Sequence, residues 1–193
     1  LDRIEQSTAE ISAEDRAAVL DAIASEVAEL GSLFDELIDL ATDSDDRDAP
    51  LELVRLDEIV TRAVARWGQR TDRPIAVTVE AVMVNGNEAM LERAATNLIG
   101  NAHKFSPPDE PIEVVVRDGF VAVRDGGPGI PAADRERVFD RFHRAETTRS
   151  MPGSGLGLAI VAKIVDHHGG EVWAAESDRG GADVGFTLPV VPG

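Results

Sequence analysis

A chain of 193 residues with a formal net charge of −17 allows one compact domain of about 140 residues plus an appended element. Its acidity and the absence of a basic stripe argue against nucleic-acid binding, because a polyphosphate backbone would be repelled. The lack of cysteine excludes disulfides, thiolate metal sites and cysteine nucleophiles. No apolar run reaches the ~18 residues of a membrane span, so a soluble piece is expected.

Ser12, with Asp15 three residues on, marks a helix start, and Leu20, Ile23, Val27, Leu30, Phe34, Leu37 and Ala41 continue it at 3-4 spacing. Val19, Leu33, Ile38 and Leu40 widen this apolar face beyond a two-helix seam, which predicts a member of a four-helix bundle. Packing on its own domain is the other way to bury that face. Residues 42–50 then crowd Asp43, Asp45, Asp46 and Asp48 ahead of Pro50, a linker or hinge rather than helix. The run lacks the central glycine and closing glutamate of an EF-hand.

Leu51 to Leu56 reads as a short strand, and Asp57 to Gln69 as an amphipathic helix with Ile59, Val60, Ala63, Val64 and Trp67 inward. Ile75, Val77, Val79 and then Val82, Val84 alternate as strands, closed by an Asn85-Gly86-Asn87 turn. A long helix follows from Glu88 to Lys104. On it Asn97 and Asn101 stand four apart on one face, and asparagine is a poor helix-interior residue. Ile112 to Arg117 and Phe120 to Asp125 pair as a hairpin through Asp118-Gly119. That strand runs into DGGPGI, Asp125 to Ile130, where a short carboxylate followed by glycines is able to meet a ligand's amine while the backbone turns away. Helix signals recur at Ala132 to Phe139 and Leu156 to His168, and strands at Glu171 to Ala175 and Asp183 to Leu188. Ahead of the last helix Gly153, Gly155 and Gly157 alternate, the chemistry of a phosphate cradle at a helix N-terminus. Taken singly, these glycines are ordinary turns and the asparagines ordinary capping or solvated amides. The element order predicts an α+β fold, three helices stacked on one mixed, mostly antiparallel sheet.

In the order asparagine helix, Asp-Gly turn, FDRF segment and GSGLGL, the four boxes together resemble the ATP-binding domain of two-component sensor histidine kinases over Leu51 to Pro189. The linking text, KFSPP and MPGSGLGLAIV, is similar to that of actinobacterial envelope-stress sensors. The resemblance implies the Bergerat ATP-binding fold, a two-layer α/β sandwich, for residues 51–193. Residues 1–41 would be the second helix, and the end of the first, of a dimerisation and histidine phosphotransfer domain, with residues 42–50 as an acidic linker. It also implies ATP and magnesium. Asn101 matches the side-chain oxygen that helps hold Mg2+, with Asn97 beside it. Lys104 matches a basic position near the phosphates, and His103 either assists there or is a solvated helix-end histidine. Asp125 matches the acceptor of the adenine amine, with Gly127, Gly129 and Ile130 in the turn at the base. Phe139 and Phe142 match the aromatic pair anchoring an ATP lid from Arg141 to Ser154, and Arg144 is a candidate phosphate contact. Gly153, Ser154, Gly155 and Gly157 complete the cradle, and Leu156 and Leu158 bury the helix that follows.

Rival nucleotide folds fail on specifics. GSGLGL places Leu158 where a dinucleotide fingerprint needs its third glycine, and neither a P-loop nor the eukaryotic-type kinase motif is present. The gyrase, chaperone and mismatch-repair ATPases share the implied fold, but those that hydrolyse ATP efficiently carry glutamate at the Asn97 position, and an amide is no general base. The implied activity is transfer of the γ-phosphoryl of Mg-ATP to a histidine and onward to a response-regulator aspartate. The resemblance further implies a homodimer through the bundle, and a cytoplasmic domain of a protein anchored in the bacterial membrane by upstream segments. Its four histidines, His103, His143, His167 and His168, all follow the linker, so the acceptor is expected upstream of Leu1, with Leu1 to Ser7 ending the first helix. Gly181-Ala182 departs from the family's Gly-Thr pair, and a hydroxyl near the adenine is expected to be missing. A module that binds ATP to sense or to scaffold, without transferring it, is the competing reading.

Overall fold

A computed structural model of the chain describes residues 50–71, 73–145, 151, 153–178 and 180–192, together with Arg16, Val19, Leu20 and Ile23. Those four are helical and exposed. The rest of the expected bundle helix and nearly all of the acidic linker lie outside the described residues.

The elements are β1 (Glu52–Arg55), α1 (Leu56–Gly68), β2 (Ile75–Val79), β3 (Met83–Gly86), α2 (Glu88–Phe105), β4 (Ile112–Arg117), β5 (Phe120–Arg124), α3 (Gly157–His167), β6 (Glu171–Glu176) and β7 (Ala182–Thr187). Five strands form one sheet in the order β2-β4-β5-β7-β6, with β2 parallel to β4 and every other pair antiparallel. Alternation in the strands sorts the two faces. Val114 and Val116 of β4, Val121 and Val123 of β5, and Val184 and Phe186 of β7 are cross-strand partners and buried, and they form one core with the apolar stripes of the three helices. In that layer α2 packs against both α1 and α3. The stripe of α2, from Met90 and Leu91 through Ala94, Ala95, Leu98 and Ile99 to Ala102, is buried, which leaves its opposite face for polar residues.

The other face of the sheet carries a thin apolar cover. Phe120 and Trp173 stack with ring centroids 5.0 Å apart and planes 10° from parallel. Trp173 lies on Gly185, where an added Cβ would come within 2.6 Å of the indole. Among the described residues no helix is long and apolar enough to cross a membrane.

Three local expectations are corrected. β1 and β3 do not join the main sheet but pair with each other as a two-stranded antiparallel ribbon, extended by a bridge from Val84 to Val190. Asn85 and Gly86 belong to β3 rather than to a turn. Gly86 is needed there because a Cβ would stand 2.5 Å from Leu91 and 3.1 Å from His168, and Asn87 is the N-cap of α2, its side chain accepting from the Met90 N–H at 3.1 Å. Between Ala132 and Phe139 only a short 3-10 turn forms, Arg137–Phe139. The Arg135 guanidinium donates to the Ile130 carbonyl instead, at 3.2 Å. By contrast, Asp118 and Gly119 both adopt left-handed φ, 48° and 76°, as the two-residue hairpin requires.

The ribbon is tied to α1 by a buried carboxylate. Asp57 accepts from the Val82 N–H at 3.1 Å and from both arms of the Arg55 fork at 2.9 and 2.6 Å. The Arg55 bond, helped by Val82 and opposed by burial, pulls its pKa down to about 2. Because the folded pKa is depressed, the stabilisation is complete above the unfolded value of ~3.9 and is lost as pH falls toward about 2. Asp57→Ala, which strands the Val82 N–H, should cost about 1–3 kcal/mol at neutral pH. Urea unfolding at neutral pH and at the acid end checks this, since the difference between variant and wild type should shrink on acidification.

Candidate functional site

The polar face of α2, the loop after β5, the start of β7 and the N-terminal end of α3 enclose a cavity of about 1140 Å3. Its walls bring together Asn97, Asn101, His103 and Lys104 from α2 with Asp125, Gly129 and Ile130 from the Asp-Gly turn. Arg144, Gly153, Ser154, Gly155, Gly157 and Leu158 close it from the third side. Segments far apart in sequence therefore converge on one space.

At one end sits Asp125, buried to 6% exposure at the end of β5. Its Oδ1 accepts from the Gly127 N–H at 2.8 Å and from the Ala182 N–H at 3.1 Å. Both bonds fall on one oxygen, which leaves Oδ2 for a donor from the cavity. Burial pushes its pKa up, while the two backbone bonds and the Arg73 charge draw it down. Gly181 permits this packing, since a Cβ there would overlap the Asp125 carbonyl. Ala182 contributes its backbone N–H where a family threonine would also bring a hydroxyl. Gly127 does not line the cavity; it packs under the turn, where a Cβ would stand 2.7 Å from the Phe105 carbonyl.

Asn97 and Asn101 gather at the N-terminal end of α3. A Cβ on Gly157 would stand 3.5 Å from Asn97 Oδ1 and 3.7 Å from the Asn101 amide nitrogen. Among the described residues no group of three or more His, Cys, Asp or Glu is placed to hold a metal ion. Two neutral amides with oxygen donors suit a hard cation whose other ligands come from a phosphorylated ligand and water. Lys104 lies against Gly153, where a Cβ would collide with its ammonium.

A backbone clasp joins Phe142 to Gly155, within the segment expected to form a lid. The Phe142 N–H donates to the Gly155 carbonyl at 3.1 Å, and Gly155 has a φ of 78°. Arg144 reaches the Met151 carbonyl, and the Leu156 N–H donates to Ser154 Oγ at 3.1 Å. The expected aromatic pair is only half realised. Phe139 packs against the core, but the Phe142 ring is 66% exposed and its backbone is left-handed, φ 62°. Such an angle is costly for a bulky residue, and here the main chain rather than the ring does the anchoring. Residues 146–150 and 152 of the lid lie outside the described residues. Leu156 is buried behind the site at the start of α3.

Sequence reasoning missed three contributors. His168 accepts the Asn87 N–H on Nε2 at 3.0 Å and bonds the Ile164 carbonyl through Nδ1 at 2.7 Å, so one neutral imidazole ties the end of α3 to the start of α2. Burial lowers its pKa, which favours that neutral form. Trp67 of α1 lies on Gly100 and beside His103, ring centroids 5.3 Å apart, and adds an aromatic wall. His103 has its pKa lowered by burial and then by Arg73, which argues against a phosphate-facing cation. Arg73, from the loop before β2, donates to the last carbonyls of α2. Helical periodicity turns Trp67 inward, but no motif in the sequence says that it meets Gly100 and His103 or flags the Arg73 and His168 contacts.

Residues 86–192 match the family of histidine kinase-, DNA gyrase B- and HSP90-like ATPases, and the chain belongs to that family. Within it the similarity runs to sensor histidine kinases. The chain is 38% identical over 184 residues to the signal transduction histidine-protein kinase/phosphatase MprB of Mycolicibacterium vanbaalenii, covering 92% of this chain and 38% of that protein. The mycobacterial sensor histidine kinase MprB, as a solved structure, superposes with a TM-score of 0.67 at 38% identity, over 74% of this chain and 100% of that one. The ATP binding domain of PrrB from Mycobacterium tuberculosis superposes with a TM-score of 0.60 at 26% identity, over 75% of this chain and 100% of that one. The chain thus spans little more than a third of the length of the curated relative it matches.

The clasp makes a direct test. Gly155→Ala puts an L side chain at φ 78°, a strain of about 1–2 kcal/mol. Its Cβ would also stand 2.7 Å from the His143 carbonyl. ADP affinity should fall by about tenfold or more, with a cooperative urea transition retained; calorimetric titration beside the unfolding curve measures both.

Proposed function

We propose that this chain holds Mg-ATP and presents its γ-phosphoryl to a histidine on a dimerisation helix, from which a response-regulator aspartate takes it. The parent protein would be a homodimeric sensor kinase anchored in the bacterial membrane by segments outside these residues. One observation carries the reading: a single cavity is lined by a buried carboxylate acceptor, Asp125, by the Asn97–Asn101 amide pair and by the alternating glycines Gly153, Gly155 and Gly157.

Asp125 Oδ2 would accept from the adenine amine, which fixes the base and hence the direction of the phosphates. Asn101, with Asn97 beside it, would hold a magnesium ion that neutralises and orients the phosphate oxygens. Lys104 and the backbone N–H groups at the start of α3 would meet the remaining anionic charge. Hydrolysis is disfavoured because, among the described residues, the cavity offers no free base beside the amides. Asn97 cannot take a proton, and Glu92, the carboxylate nearest in sequence on the same helix, is engaged by Arg66 at 2.5 Å. Catalysis then rests on positioning a reactive phosphoryl for an external nucleophile.

None of the chain's histidines is suited to be that nucleophile. His103 is half-buried beside Trp67, His143 is paired with Asp134 at 3.3 Å, and His167 and His168 lie at the far end of α3.

Two measurements test the proposal. Asn101→Ala should weaken ATP binding by about tenfold or more only when magnesium is present, whereas Asp125→Asn should weaken it with or without the metal. Equal affinities for wild type and both variants would sink the assignment. Incubation with γ-labelled ATP should leave the chain free of acid-labile label until a dimeric helix bearing a histidine is supplied; label on the chain alone would place the acceptor among the four histidines.

A further inference from the structure

We infer that Arg73 is a positioning residue for the nucleotide site: its guanidinium fixes the C-terminal end of α2 and keeps the negative pole of that helix from acting on the Asp125 carboxylate. The inference rests on the nucleotide reading above and assigns a role to a residue outside every box of the family resemblance.

The last carbonyls of a helix have no partner within it and carry its partial negative charge. At the end of α2 two such groups, together with the Ala102 carbonyl that already accepts the Ser106 N–H, converge on one side chain. Arg73 donates through one arm to the His103 carbonyl at 2.9 Å and the Ala102 carbonyl at 3.5 Å, and through the other to the Ser106 carbonyl at 3.1 Å. Only a planar, permanently charged fork spans these acceptors at once. The same helix end is the floor of the Asp125 turn. Buried Ser106 accepts the Gly126 N–H on Oγ at 3.3 Å, and Gly127 lies on the Phe105 carbonyl. Asn97, Asn101 and Lys104 hang from this helix, so Arg73 sets how the phosphate end of the cavity stands relative to the base end.

The charges facing Asp125 make the electrostatic part specific. On β7, Asp183 opposes its ionisation, although Arg124 holds Asp183 at 3.0 Å. Before β4, the Glu110 carboxylate sits near Gly126, 3.3 Å from where a Cβ would be. At the end of α2 stand His103, lowered in pKa, and the terminal carbonyls that Arg73 holds. Arg73 is the cation that acts on Asp125 in the opposite sense to burial and Asp183. Without it, burial and Asp183 would act on the carboxylate with the two backbone bonds alone opposing them.

The test compares Arg73→Gln, which keeps donors but loses the charge, with Arg73→Lys, which keeps the charge but loses the fork. The Asp125 carboxyl is titrated by NMR without ligand, and ADP affinity without magnesium is measured across the acid range. Arg73→Gln should move the Asp125 midpoint upward by about half a unit to one unit, and the acid loss of ADP affinity should move with it. Arg73→Lys should hold the midpoint, quicken amide exchange at Ala102 to Ser106 and lose about threefold in affinity at every pH. Adding Asp125→Asn to Arg73→Gln should abolish the pH shift.

One Asp125 midpoint shared by wild type and Arg73→Gln overturns the inference. Should Arg73→Gln lose its cooperative unfolding, Arg73→Lys decides, and unchanged exchange at the α2 end then overturns it. A wild-type chain that binds no ADP at any pH overturns the nucleotide reading instead, and the ligand-free titration still reports on Arg73.

Discussion

The site depends on one junction, where the C-terminal end of α2 meets the turn that follows β5. The turn carries Asp125, and a buried carboxylate is expensive unless hydrogen bonds replace the water it has lost. Gly127 and Ala182 supply those bonds from the backbone, so they persist whatever side chains surround them. Ser106 then fastens the turn to the helix. A carboxylate at the end of a sheet strand and two amides on a helix thereby line one cavity, their relative placement held by main-chain contacts.

A second tie closes the opposite side. His168 joins the last turn of α3 to the N-cap of α2 through a backbone N–H, and Gly86 lets the imidazole approach. With both flanks held, the described residues His143 to Ala145 and Gly153 to Gly155 form the remaining wall. There the Phe142 N–H holds the Gly155 carbonyl, beside a left-handed φ at an exposed aromatic residue.

Much of this was legible in the sequence because it is local. The Asp118-Gly119 hairpin, the amphipathic stripe of α2, the paired asparagines and the alternating glycines are encoded within a few residues of where they act. What was not legible depends on distant partners. The strand signals of β1 and β3 are genuine, but nothing in either run says that they pair with each other and leave the main sheet. The apolar spacing at Ala132 to Phe139 suggested a helix, and competing side-chain bonds reduced it to a short turn. Gly86 looked like turn chemistry and instead makes room for Leu91 and His168. Arg73 reads as one more loop cation until the fold brings three carbonyls to it, and Phe142 reads as an anchor until its backbone angle turns the ring to solvent.

The two tryptophans stand on opposite sides of this architecture, and that placement gives the protein a built-in optical reference. Trp67 forms part of the cavity wall over Gly100, whereas Trp173 lies flat on the far face of the sheet over Gly185. A ligand entering the cavity changes the polarity around the first indole and leaves the second in place. Loss of the sheet changes both. Their emission therefore separates, in a single unlabelled chain, an event at the site from an event in the fold.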